Sequence, residues 1–167
     1  MDPTALQQLV DTLAPEDLAA LMPMGGFEKL LGLRYTFVSP ARVEAVLQAT
    51  PELVQPYGLV HGGVYCALAE SVCSVGAALV VLLPTGQSAV GVSNRTEFKR
   101  AVRAGHAIDV VAEPLRIEGR DHTWRATMTV GGEVCAVGEV VVRALPQGTR
   151  LAGEAVALSG ASGAGTP

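Results

Sequence analysis

Charge is scarce in this chain, and basic charge scarcer still. Of 167 residues only 17% are Asp, Glu, Lys or Arg, and 12 basic against 16 acidic side chains leave a net charge of -4. That balance excludes the broad basic footprint of a nucleic-acid binder. One local cluster is basic: Arg95, Lys99, Arg100 and Arg103 suit either a small phosphorylated ligand or a solvated strand end. Cysteine is also sparse. Cys66, Cys73 and Cys135 are odd in number, lie in apolar surroundings and have no CxxC spacing, so they read as buried thiols rather than as a disulfide framework or a metal site. The amino-terminal stretch MDPTALQQLVDTLAPEDL lacks the basic region and apolar run of a secretory signal, so the expected compartment is the cytoplasm. Apolar residues, by contrast, make up 49% of the chain, enough to build a core, and 167 residues suit a single one.

The apolar positions fall into a legible order. Leu6, Leu9, Val10 and Leu13, then Leu18 and Leu21, recur at helical spacing on either side of Pro15, which predicts two short helices. Residues 27–31 suit one more helical turn. Residues 33–38 and 42–49 suit a hairpin around Ser39-Pro40. The run 64–83 is almost wholly apolar and long enough to cross a bilayer. Glu70 at its middle, Ser71 and Ser74 beside it and the lack of basic anchors favour a helix enclosed by protein, with no membrane partner. Four strand-like runs follow, at 88–98, 107–117, 122–130 and 133–143, with turns at Gly105, Gly119 and Gly131-Gly132. Such a sequence is satisfied by an α+β fold in which a curved antiparallel sheet wraps around one long central apolar helix. The expected organisation is a helical extension over 1–24, the sheet-and-helix domain over 25–146, and a mobile Gly/Ala/Ser-rich tail over 147–167.

The stretch QPYGLVHGGVYCALAESVCS, residues 55–74, holds the informative exceptions. A carboxylate inside an apolar segment is costly to ionise without a partner, so Glu70 implies either a satisfied structural contact or a working site. Ser74 lies four residues on, on the same helical face, and the pair implies a polar pocket. His61-Gly62-Gly63 opens the helix, where N–H groups have no intrahelical acceptor and the macrodipole favours negative charge. Glycine at 62 lets a ligand approach the backbone, so its N–H could stabilise a developing oxyanion, although a plain glycine-rich helix start has the same composition. Eight residues separate Gly62 from Glu70, about 12 Å of helix. One carbonyl carbon cannot readily be served by both from a single chain, which points to a site shared across a dimer interface.

The segment GLVHGGVYCALAES, with Gln55 ahead of it and SNRTEFKRAVRAGH after it, resembles the glutamate-type 4-hydroxybenzoyl-CoA thioesterases of the hotdog superfamily. It is also similar to hotdog thioesterases acting on 1,4-dihydroxy-2-naphthoyl-CoA and on aroyl carrier-protein thioesters. The resemblance covers residues 33–145 and implies the hotdog fold. By position it puts the catalytic carboxylate on Glu70 and the thioester-polarising backbone amide on Gly62. Gln55 and His61 fall where such enzymes orient the thioester and support the loop, and Ser74 falls where a hydroxyl, threonine in some relatives, assists hydrolysis. Arg100 lies where relatives contact the nucleotide phosphates; His122 and Thr123 lie near another such position, though ordinary strand residues would read the same. Val75 either lines the acyl pocket or belongs to the core.

The resemblance implies hydrolysis of an acyl-CoA, aromatic or similarly hydrophobic, with no metal and no cofactor. Glu70 would attack the carbonyl to give a mixed anhydride or would deprotonate a water, and the residues do not choose between these routes. Two other readings stay open: a hotdog hydratase or dehydratase using His61 and Glu70, and a non-catalytic acyl-CoA-binding module. The HGG context speaks against the first and an intact Glu70 against the second. The expected assembly is a homodimer at least, extending to a homotetramer built as a dimer of dimers.

Overall fold

A computed structural model describes residues 3–21, 25–146 and 148–155. Two helices, α1 (Pro3–Thr12) and α2 (Pro15–Leu21), occupy the amino-terminal segment. Pro15 opens the second, where its missing N–H costs nothing and its fixed φ suits a first helical turn. After α3 (Gly26–Leu31) come β1 (Leu33–Val38) and β2 (Val43–Gln48), then the long helix α4 (Gly62–Thr85). The remaining strands are β3 (Ser88–Phe98), β4 (Ala107–Glu118), β5 (Asp121–Val130) and β6 (Glu133–Leu145). They form one antiparallel six-stranded sheet in the order β1-β2-β4-β5-β6-β3.

Alternation along the strands gives the sheet a dry inner face. Val43, Ala45 and Leu47 of β2, Ile108, Val110 and Ala112 of β4, Trp124, Ala126 and Met128 of β5, and Val140 and Val142 of β6 are buried on it. They pack against Leu68, Ala69, Val72, Cys73 and Ala77 of α4. Gly76 permits the closest part of this approach, since a Cβ there would stand 2.4 Å from Cζ3 of the fully buried Trp124. The segment Gly62–Val81 is long and apolar enough to cross a membrane, yet 61% of its most apolar window is buried inside the protein, so it is the core helix of the fold.

The enclosure is one-sided. Cys66, Ala67, Glu70, Ser74, Val75 and Ala78 remain half-buried, because the sheet curves over only part of the helix. Cys66 therefore departs from the expected set of buried thiols, whereas Cys73 and Cys135 are buried. β3 closes one edge of the sheet, and its eleven residues are largely exposed, including Val92 at 49% and Phe98 at 57%.

In the region expected as a mobile tail, β7 (Arg150–Leu151) and β8 (Glu154–Ala155) make a small hairpin through Ala152 and Gly153, both with positive φ. The rest of that region, residues 156–167, lies outside the described residues.

Candidate active site

Glu70 sits half-buried on the open side of α4, facing β3. Its Oε2 accepts a hydrogen bond from Asn94 Nδ2 at 3.0 Å, and the same nitrogen donates to the Cys66 carbonyl at 3.0 Å. Thr96 Oγ1 donates to Asn94 Oδ1 at 2.8 Å. On its other side the carboxylate lies against Gly91, where a Cβ would come within 2.0 Å of Oε1. One turn earlier on α4 stands Cys66, and one turn later Ser74, whose hydroxyl has no hydrogen-bond partner among the described residues. Cys73 is no competing nucleophile: burial, and then the neighbouring Glu70 charge, push its thiol far above the usual range.

The start of α4 is built from the loop before it. His61 N donates to the Leu53 carbonyl at 2.9 Å, and Val60 N to the Val102 carbonyl at 2.8 Å, which ties the loop to both flanks. Gln55 folds onto its own turn, its Oε1 accepting from Tyr57 N at 2.8 Å and its carbonyl from Gly58 N at 2.8 Å. His61 caps the helix: Nδ1 accepts from Gly63 N at 2.9 Å, so this nitrogen carries no proton. The Gly62 N–H donates to no group among the described residues. The Phe98 ring lies over Gly62, its Cζ 2.9 Å from where a Cβ would stand, and it packs on Tyr65 with ring centroids 5.9 Å apart.

The other expected residues fall elsewhere. Arg100 is engaged by its own sheet, Nη2 donating to the Val130 carbonyl at 2.9 Å and Nη1 pairing with Glu133 at 2.8 Å. His122 and Thr123, adjacent on β5, point to opposite faces of the sheet. His122 is buried, and that burial holds its imidazole below the usual histidine range against the opposing Asp121 charge. It stands opposite Val142, which stands opposite Gly91, so about 10 Å, two strand spacings, separate it from the strand that touches Glu70. Val75 packs against the core while remaining partly exposed. Among the described residues no cluster of His, Cys, Asp and Glu could hold a metal ion.

Asn94 and Gly91 are the residues that sequence reasoning missed. Both are poorly suited to strands, and both sit well inside β3; that mismatch is the signal that could have singled them out.

Comparison with known proteins gives the context of this site. The Thioesterase superfamily profile matches residues 57–142, which span the helix start, Glu70 and all of β3. The Mycobacterium tuberculosis protein Rv1847 is 39% identical over 117 residues, covering 70% of this chain and 83% of that one. Its solved structure superposes with a TM-score of 0.69 at 38% identity, covering 72% of this chain and 97% of that one. The proofreading thioesterase EntH of Cronobacter turicensis is 32% identical over 101 residues, 60% of this chain and 72% of that one. The 1,4-dihydroxy-2-naphthoyl-CoA hydrolase of Escherichia coli is 30% identical over 104 residues, 62% and 74% respectively.

Proposed function

The chain belongs to the Thioesterase superfamily, has the hotdog fold and is a thioester hydrolase, and from that premise we propose that Glu70 and the Gly62 N–H together cleave an aromatic acyl-CoA. The observation that carries the reading is the contrast along α4. A carboxylate with one oxygen free of donors faces the open side of an otherwise apolar helix, and an unclaimed N–H stands at that helix's positive end.

In the reaction the Gly62 N–H of one protomer takes the thioester oxygen as it gains charge, and the carbonyl carbon faces Glu70 of its partner. Glu70 Oε1 attacks the carbonyl carbon, the C–S bond breaks and coenzyme A leaves as a thiolate that takes a proton. Water then hydrolyses the mixed anhydride and returns the carboxylate. In the other route Glu70 takes a proton from a water that attacks directly. In a single turnover in heavy-oxygen water, label in the Glu70 side chain with an unlabelled product acid establishes the anhydride route with water attacking the Glu70 carboxyl carbon, because direct attack by water labels only the product. Ser74, a turn beyond, orients the water. Gln55 and His61 act through the loop that presents Gly62, and Arg100 meets the nucleotide phosphates at the rim. The name of the 1,4-dihydroxy-2-naphthoyl-CoA hydrolase supports an aromatic or related acyl group.

The enzyme works as a dimer in the cytoplasm, with tetramers formed by pairing dimers. The dimer is supported by the long exposed edge of β3, which a second copy would cover, and by the uncovered stripe of α4 beside it. The test is release of free thiol from a panel of aromatic, short-chain and long-chain acyl-CoAs by wild type and Glu70→Ala. Aromatic hydrolysis that collapses by about 10³-fold or more in the variant, with fold and size unchanged, supports the reading. Turnover that survives Glu70→Ala makes the carboxylate structural and sends the search to another site.

A further inference from the structure

We infer that Asn94 is the positioning residue of the Glu70 carboxylate, holding Oε2 so that Oε1 is the oxygen presented to the substrate. The inference rests on the reading of Glu70 as the reacting group.

The orientation of the amide follows from chemistry. Cys66 offers a carbonyl and Glu70 a carboxylate, both of which only accept, so the NH₂ end of Asn94 must face them. Its two protons are divided between them, one to each at 3.0 Å. The remaining Oδ1 takes the Thr96 hydroxyl proton, which locks the amide against a flip. Because one of the two acceptors is the helix backbone, the carboxylate is tied to the frame of α4 rather than left to sample its side-chain rotamers.

The strand is shaped for this contact. Gly91 pairs with Val142 and Asn94 with Val140, both residues on the inner face of β6. Residues three apart on a regular strand would face opposite sides. A register shift between Gly91 and Ser93 inserts Val92 as an extra residue, and the bulge turns both Gly91 and Asn94 toward Glu70. Asn94 then supplies the donor to one oxygen, and Gly91 leaves room for the other. Oε1 accepts no hydrogen bond among the described residues, so its lone pairs stay available for attack or for taking a proton.

The test is steady-state kinetics of Asn94→Asp, Asn94→Ala and Thr96→Val beside Glu70→Ala, with thermal midpoint and size measured for each. Asn94→Asp keeps the shape and loses the donor, so kcat should fall by about 100-fold while KM stays within about 3-fold. Its acid can donate only when protonated, so its kcat relative to wild type should rise as pH is lowered from mildly alkaline to mildly acidic. Thr96→Val unlocks the amide without touching Glu70 and should cost about 10-fold in kcat; it carries the test if the Asn94 variants fail to fold. Folded Asn94 variants with wild-type kcat, or with a loss confined to KM, overturn the inference while the role of Glu70 stands. Activity retained by Glu70→Ala overturns the underlying reading and the inference with it.

Discussion

Replacing Gly91 by alanine would put a methyl carbon 2.0 Å from Glu70 Oε1, a separation that real contacts do not reach. The atom in the way is the far end of a flexible side chain, so the chain can relieve the clash by moving the carboxylate. Fold stability should therefore change little, while a carboxylate displaced by about 1 Å should lose on the order of 100-fold in kcat. Kinetics and thermal unfolding of Gly91→Ala separate the two effects; a folded variant with full kcat would show that the carboxylate position is not critical. The residues of this site differ in how they could be read. Glu70, Ser74 and Gly62 stood out because each breaks an apolar or helical pattern in its own neighbourhood. Asn94 and Gly91 act on Glu70 from 24 and 21 positions away, across a helix-to-strand contact that no local period encodes. His122 and Thr123 are neighbours in sequence, but the two-residue repeat of a strand turns their side chains to opposite faces.

Among the elements, α4 decides the architecture, and its fit to the sheet depends on position 76. Alanine is favoured over glycine within a helix by up to about 1 kcal/mol. Here its Cβ would stand 2.4 and 2.5 Å from ring carbons of Trp124, a fully buried side chain with no free end to yield. Overpacking of this kind costs about 1 to 3 kcal/mol, so the clash should outweigh the propensity gain and Gly76→Ala should unfold at lower denaturant concentration. An unchanged or higher midpoint would mean that the helix can lift off the sheet without loss. The elements themselves were largely legible, because strands of ten or more residues carry a two-residue alternation and a 24-residue helix shows as a long unbroken apolar run. The hairpin at Arg150–Ala155 was not, since two-residue strands have no period to read and Ala152 is an unusual choice for positive φ. Nor did the all-apolar sequence of α4 disclose which side its own sheet would leave uncovered.

For the whole molecule the question is how many chains make one site. Gly62 and Glu70 are separated by about 12 Å along the same helix, and we propose that one carbonyl has its oxygen bound by one chain and its carbon attacked by the other. A second copy placed along the β3 edge would bring its own helix start toward this Glu70. Subunit mixing tests the arrangement. Gly62→Pro removes the N–H at the first position of the helix, where proline is tolerated, and the Phe98 ring above it can swing aside. Glu70→Ala and Gly62→Pro should each be inactive alone. After unfolding and refolding together, half of the dimers are mixed, and each mixed dimer has one site with both groups intact, so roughly a quarter of wild-type activity should return. Were the site contained in a single chain, every chain in the mixture would lack one of the two groups and no activity would return, even with mixed dimers formed.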